Sequence, residues 1–183
     1  MSLAPKDPLL AVAKGVLWFL MGVMAVATVA CLLGIPLAHI FQGQIAAEIA
    51  SKGTEFDVTP ALWPLSGLLL LAAGLMAMLF RLFQLLKRII DTVGEGDPFV
   101  PVNATRLTHM AWLTVGTQLI TIPMAGVVIW LLRITEPIRD KGETVVMDGG
   151  IDMNGLLMAL VLFILARVFR EGARMRADLE GTV

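Results

Sequence analysis

Long uncharged apolar stretches alternate with short polar ones along this chain. Three runs carry no charged residue: Gly15 to Ala38, Ala61 to Phe80 and Met110 to Leu132. A helix needs roughly 20 apolar residues to cross about 30 Å of hydrocarbon, and each run meets that length. A fourth run, Met153 to Ala166, stops at Arg167. With Val168 and Phe169 included it also spans, because a long arginine near one end carries its head to the interface. A re-entrant hairpin is the alternative for that run. The first apolar region is too long for a cleaved signal peptide and reads as a retained span. The pattern predicts an all-α integral membrane protein. Its expected form is a four-transmembrane-helix bundle in a single domain over 1–183, with spans near 12–38, 61–84, 106–132 and 153–172.

The periodicity continues beyond the spans. The first helix is expected from near Pro8 to about Ala38, with Pro36 bending or ending it. Phe41, Ile45 and Ile49 recur every four residues, which predicts a short amphipathic helix in the next loop. Thr54 to Thr59 alternates like a strand, and the second outside loop contains Glu143 to Met147, closed by Asp148-Gly149-Gly150. The segment from Thr54 and the segment from Glu143 are expected to pair as a small extracytoplasmic two-stranded sheet. After Phe80 the second helix runs on as Arg81, Leu82, Phe83, Gln84, Leu85, Leu86, Lys87, Arg88, Ile89 and Ile90 until Gly94 and Gly96 break it. Arg167, Arg170, Arg174 and Arg176 extend the last helix in the same way to about Leu179. Leu79 to Phe83 resembles Leu165 to Phe169, which fits either an internal duplication or chance.

Composition agrees with the pattern. Of the 183 residues, 57% are apolar and 16% charged, against about 25% charged in a soluble domain. The mean hydropathy is +0.83. A net charge of −1 lacks the basic footprint of a nucleic-acid binder. Lysine and arginine set the orientation. Lys6, Lys14, Arg81, Lys87, Arg88, Arg106, Arg167, Arg170, Arg174 and Arg176 fall on one side of the spans. Lys52, Arg133, Arg139 and Lys141 fall on the other. The richer side holds both termini and the middle loop, and it is expected to be cytoplasmic. Trp18, Trp63, Trp112 and Trp130 lie near span ends, as an interfacial aromatic belt requires.

Chemistry within the spans is sparse. Thr114, Thr117, Gln118 and Thr121 share one face of the third helix, beside Pro123. That intramembrane polar face fits hydrogen bonding between helices, or alternatively a small cavity. Arg81 and Arg167 sit at span edges; they either pair with Glu171, Asp91 or Asp97, or snorkel and set topology. Cys31 is the single cysteine, which excludes an internal disulfide. His39 and His109 stand far apart, and the eleven methionines read as packing residues, so no metal site and no cofactor are expected. The spans contain no acidic pair and no convergent nucleophile and base, so no catalytic residue is expected and the chain does not read as an enzyme.

The loop between the second and third helices is the most distinctive stretch. Asp97-Pro98 sets a turn, and Pro101 suits a first helical turn, where its missing N–H costs nothing. Gly96-Asp97-Pro98-Phe99, followed by Asn103, Arg106 and Leu107, resembles the signature loop of bacterial four-helix membrane proteins grouped as domain of unknown function 2975. The tail is similar too, in Val168-Phe169-Arg170-Glu171-Gly172-Ala173, then Arg176, Asp178-Leu179 and Thr182-Val183. The chain departs from that pattern at Val102, where an acidic residue is common, and at Glu180-Gly181. The resemblance implies a multi-pass protein of the bacterial inner membrane. It also implies a partner, since members are often encoded beside a small helix-turn-helix regulator.

Two function classes follow. The first is a regulatory or signalling protein that binds such a cytoplasmic partner through Asp97, Phe99, Asn103, Arg106, Arg170 and Arg174. The second is a small oligomeric transporter or channel, against which stands the lack of acidic residues in the spans. Ala30-x-x-x-Gly34 and Ala73-x-x-x-Ala77 allow close helix contact, either within the chain or in a homo-oligomer.

Overall fold

The computed structural model describes residues 8–51, 57–135 and 152–180. Nearly all of them lie in five helices: α1 (Pro8–Ile40), α2 (Gln42–Ser51), α3 (Thr59–Gly94), α4 (Pro101–Ile134) and α5 (Met153–Glu180). The protein is all-α, and α1, α3, α4 and α5 are each long and apolar enough to cross a membrane. At 36 residues, α3 is about 54 Å long, well beyond about 30 Å of hydrocarbon. It continues unbroken from its apolar half through Arg81 to Gly94. Pro36 does not end α1, which runs on to Ile40. The short helix expected after it is α2.

The described residues contain no strand, and most of the expected two-stranded sheet lies outside them. Of the first segment, Thr54 to Phe56 lie outside the described residues, and the rest does not extend as a strand. Asp57 and Val58 belong to no element, and Thr59 already opens α3. The Asp57 carboxylate accepts the Thr59 N–H at 2.9 Å, so this local turn starts the helix instead. That bond holds the Asp57 carboxyl below its ordinary range. The second segment, Glu143 to Met147, lies outside the described residues.

The described chain forms two compact units. One holds residues 8–25, 78–118 and 152–180; the other holds 26–51, 57–77 and 119–135. The first unit has a core of Leu85, Ile89, Leu107, Met110, Ala111, Leu162 and Ala166, drawn from α3, α4 and α5. In the second, Gly34 of α1 faces Leu69 of α3; a Cβ there would stand 3.3 Å from Leu69 Cδ1. The small residue thus serves packing within the chain. His39 meets the edge of Trp63 at 6.0 Å in the same unit.

Large apolar side chains cover much of the outside. Val12, Val16, Phe19 and Val23 form an exposed row on α1, and Leu157, Leu160, Ile164 and Val168 form one on α5. All four tryptophans are exposed. Rows this long on a soluble surface would drive aggregation; on membrane helices they are the surface that lipid covers. The chain is a multi-pass membrane protein.

Candidate functional site

The site is built where α3 stops and α4 starts. Gly96 adopts φ +84°, a left-handed conformation that glycine takes without steric cost. The Asp97 N–H then bonds Thr92 O at 3.1 Å, and the Gly96 N–H bonds Val93 O at 3.0 Å. These two bonds make a Schellman cap, which satisfies carbonyls left over at the helix end. Four residues later Pro101 opens α4, and Val100 O accepts the Asn103 N–H at 2.9 Å. The turn is fixed at both ends by backbone chemistry.

Asn103 locks it from inside. Its side chain is fully buried, at 0% exposure. Nδ2 donates to Thr92 Oγ1 at 2.7 Å and to Pro98 O at 2.9 Å. Oδ1 accepts from Arg106 Nη1 at 2.8 Å, and the same nitrogen donates to Arg88 O at 3.0 Å. Thr92 Oγ1 in turn donates to Ile89 O at 2.7 Å. One amide therefore ties the last turn of α3, the loop and the first turns of α4 together. Buried polar groups satisfied this completely specify one geometry.

The loop is clamped onto α5 by two further contacts. The Asp97 carboxylate pairs with the Arg176 guanidinium. The Phe99 ring lies 5.3 Å from that of Phe169, and Gly172 leaves room for it. A Cβ at Gly172 would stand 2.6 Å from Phe99 Cδ1, so only glycine admits the ring in this position.

On the other side α1 is tied to α3. Lys14 Nζ lies 2.9 Å from Asp91 Oδ1, and Lys87 Nζ lies 3.0 Å from Oδ2. Lys87 also stands 5.4 Å over the Trp18 ring. The hydrogen bond from Lys14 holds the Asp91 carboxyl below its ordinary range, partial burial opposes this, and Lys87 adds to it.

The polar face of α4 turns mostly upon itself. Thr114 Oγ1 donates to Met110 O at 3.0 Å, and Thr117 Oγ1 to Thr114 O at 2.7 Å. Gln118 reaches across: Nε2 donates to Asp152 O at 3.0 Å, over Gly155 of α5. Asp152 also caps α5, its carboxylate accepting from Asn154 N at 3.0 Å and Gly155 N at 3.2 Å. Thr121 lies one turn beyond Thr117 on the same face.

Asp97, Phe99, Asn103 and Arg106 are thus brought into one junction, with α5 against it. Arg170 and Arg174 are exposed on α5. Of the two readings for Arg81 and Arg167, pairing with Glu171, Asp91 or Asp97 is not seen among the described residues. Asp91 is taken by Lys14 and Lys87, and Asp97 by Arg176. Arg81 donates to Gln84. Three parts of the junction had no signal in the sequence, the Thr92 hydroxyl, the Arg88 carbonyl and the room Gly172 leaves for Phe99, nor had the Lys14–Asp91 tie between α1 and α3. Among the described residues no three His, Cys, Asp or Glu side chains converge as metal ligands would.

No curated protein and no solved structure matches the chain. The model of the family described as "Protein of unknown function (DUF2975)" matches residues 44–183. That stretch contains the whole junction, from the end of α3 through the α5 clamp, and the chain belongs to this family.

Proposed function

We propose that this is a regulatory protein of the bacterial cell membrane. In this reading it holds a soluble cytoplasmic partner, a small helix-turn-helix transcription regulator, at the bilayer. Both termini and the α3–α4 loop lie in the cytoplasm, as the lysine and arginine asymmetry favours. The ends of α3 and α5 project there as helical extensions.

The observation that carries the reading is a division of labour at the junction. Asn103, Arg106, Asp97 and Arg176 hold the loop in place. Phe99 and Val102 beside them are 40% and 47% exposed, and Arg174 of α5 is exposed as well. A patch held rigid before binding loses less entropy on association, which favours specific recognition. Aromatic and arginine side chains are also the usual anchors of protein interfaces. Arg170 is exposed as well, on the same face of α5 as Arg174.

A photocrosslinking residue placed at Val102 or Arg174 tests it in living cells. The expected adduct is a small helix-turn-helix protein, with none formed from Trp130 at the other end of α4. Adducts of equal yield from both ends, or adducts only to lipid at Val102 and Arg174, would refute it. The transporter or channel reading draws less support. Its polar face spends the Thr114 and Thr117 hydroxyls within α4 and ties Gln118 to Asp152.

A further inference from the structure

Helix α5 presents two unlike flanks at its basic end. One bears Phe169, Gly172 and Arg176 and is clamped onto the α3–α4 loop. The other bears Arg167, Arg170 and Arg174, whose spacings of three and four stack them on one face. None of these three arginines has a hydrogen-bond or ion-pair partner among the described residues. A groove of about 460 Å³ runs beside them between α4 and α5, lined by Thr108, Phe163, Ala166, Arg167, Arg170 and Glu171.

We propose that this groove is a headgroup site for an anionic phospholipid. Three observations point to that occupant. The first is charge: Arg167 and Arg170 face the groove against the single carboxylate of Glu171, so an anion is favoured. Arginine's planar fork also matches phosphate geometry. The second is position. Arg167 is the first charge after the uncharged run of α5, where a phosphate headgroup lies in a bilayer. Exposed Leu160 and Ile164 continue upward from it as a surface for acyl chains. The third is the aromatic frame. Trp112 of α4 is exposed and meets Phe163 edge-on at 5.4 Å, at the rim of the groove. Trp at this level is typical of the membrane interface. Basic pockets between transmembrane helices are a recurring form of anionic headgroup site.

This inference goes beyond the partner-binding reading and shares only Arg170 with it. The test therefore centres on Arg167 and on lipid alone. The full chain is purified in mixed micelles containing phosphatidylglycerol and phosphatidylcholine, and retained lipid is counted by native mass spectrometry. The chain is expected to retain phosphatidylglycerol selectively. Arg167→Gln is expected to weaken that retention about fivefold, and Arg167→Gln with Arg170→Gln about thirtyfold. Arg88→Gln, a change of exposed charge on α3, is expected to leave it unchanged. If the double variant does not fold, the single variant carries the test alone. Wild-type retention in the Arg167 variants would overturn the proposal. So would an equal loss in Arg88→Gln, which would mean diffuse surface attraction. So would equal stabilisation of the chain by inorganic phosphate at matched ionic strength, which would mean an anion site without lipid.

Discussion

Replacing Asn103 by alanine tests the junction at its centre. The side chain makes three hydrogen bonds, to Thr92 Oγ1, Pro98 O and Arg106 Nη1, and none of it reaches solvent. A typical bond contributes about 0.5–1.5 kcal/mol, more when one partner is charged. Truncation also leaves Pro98 O without its partner and a void where the amide was. Thr92 keeps its bond to Ile89 O, which limits the loss. The expected cost is about 2–4 kcal/mol, or roughly 5–15 °C in Tm for a chain of this size. Thermal unfolding of the purified protein in detergent, followed by tryptophan emission, reads it directly. A cycle with Arg106→Ala isolates the Asn103–Arg106 bond, with an expected coupling of about 1.5–3 kcal/mol. Asn103→Asp is a sharper variant. It keeps an acceptor for Arg106 but sets a carboxylate oxygen against Pro98 O. Its stability should improve as acid protonates the new carboxyl and restores a donor. A cost below about 0.5 kcal/mol for Asn103→Ala, within the range of changes at unimportant surface sites, would refute the locking role.

Other substitutions probe the surrounding contacts. Gly172→Ala should destabilise by up to about 2 kcal/mol: crowding by Phe99 costs roughly 1–3, and alanine returns about 1 in helix propensity. In a Phe99→Ala background the same change should become stabilising, as thermal unfolding of the four variants will read. Gly96→Ala forces a side chain into the left-handed region and should cost about 1–2 kcal/mol by the same assay. The Asp91 ties should depend on pH in one direction. Its folded pKa is depressed, so their contribution is complete above the ordinary carboxylate pKa near 4 and is lost as pH falls through the lower folded value. Unfolding of wild type and Asp91→Asn from pH 7 to 3 checks this. The gap between them should hold to about pH 4 and narrow below it, whereas narrowing already at pH 6 would contradict the assignment.

The helices were legible because the bilayer imposes a simple demand. Three uncharged runs and a fourth ending at Arg167 became α1, α3, α4 and α5. Local chemistry at helix ends was equally plain: Gly96 took the left-handed cap and Pro101 the first turn of α4. The Phe41, Ile45 and Ile49 spacing foretold α2. The alternation from Thr54 does not carry through to Thr59, because Asp57 caps α3 and Thr59 already opens it. The junction itself was only half legible. Its loop residues stood out as a motif, but nothing in a sequence marks Asn103 as buried. Asp97 finds Arg176 79 positions away, through tertiary packing and not through any local pattern. The ends of α3 and α5 read as basic and amphipathic, which identified their arginines but not the difference between the clamped and open flanks of α5.

Membrane vesicles of defined sidedness test the central claim most directly. Vesicles from cells producing the full chain are prepared inside-out and right-side-out, then mixed with a purified small helix-turn-helix regulator of the proposed class. The account predicts that inside-out vesicles retain the regulator, that right-side-out vesicles do not, and that Phe99→Ala with Arg174→Gln abolishes retention at unchanged protein level. Binding confined to right-side-out vesicles would contradict it, as would binding equal to that of vesicles lacking the protein.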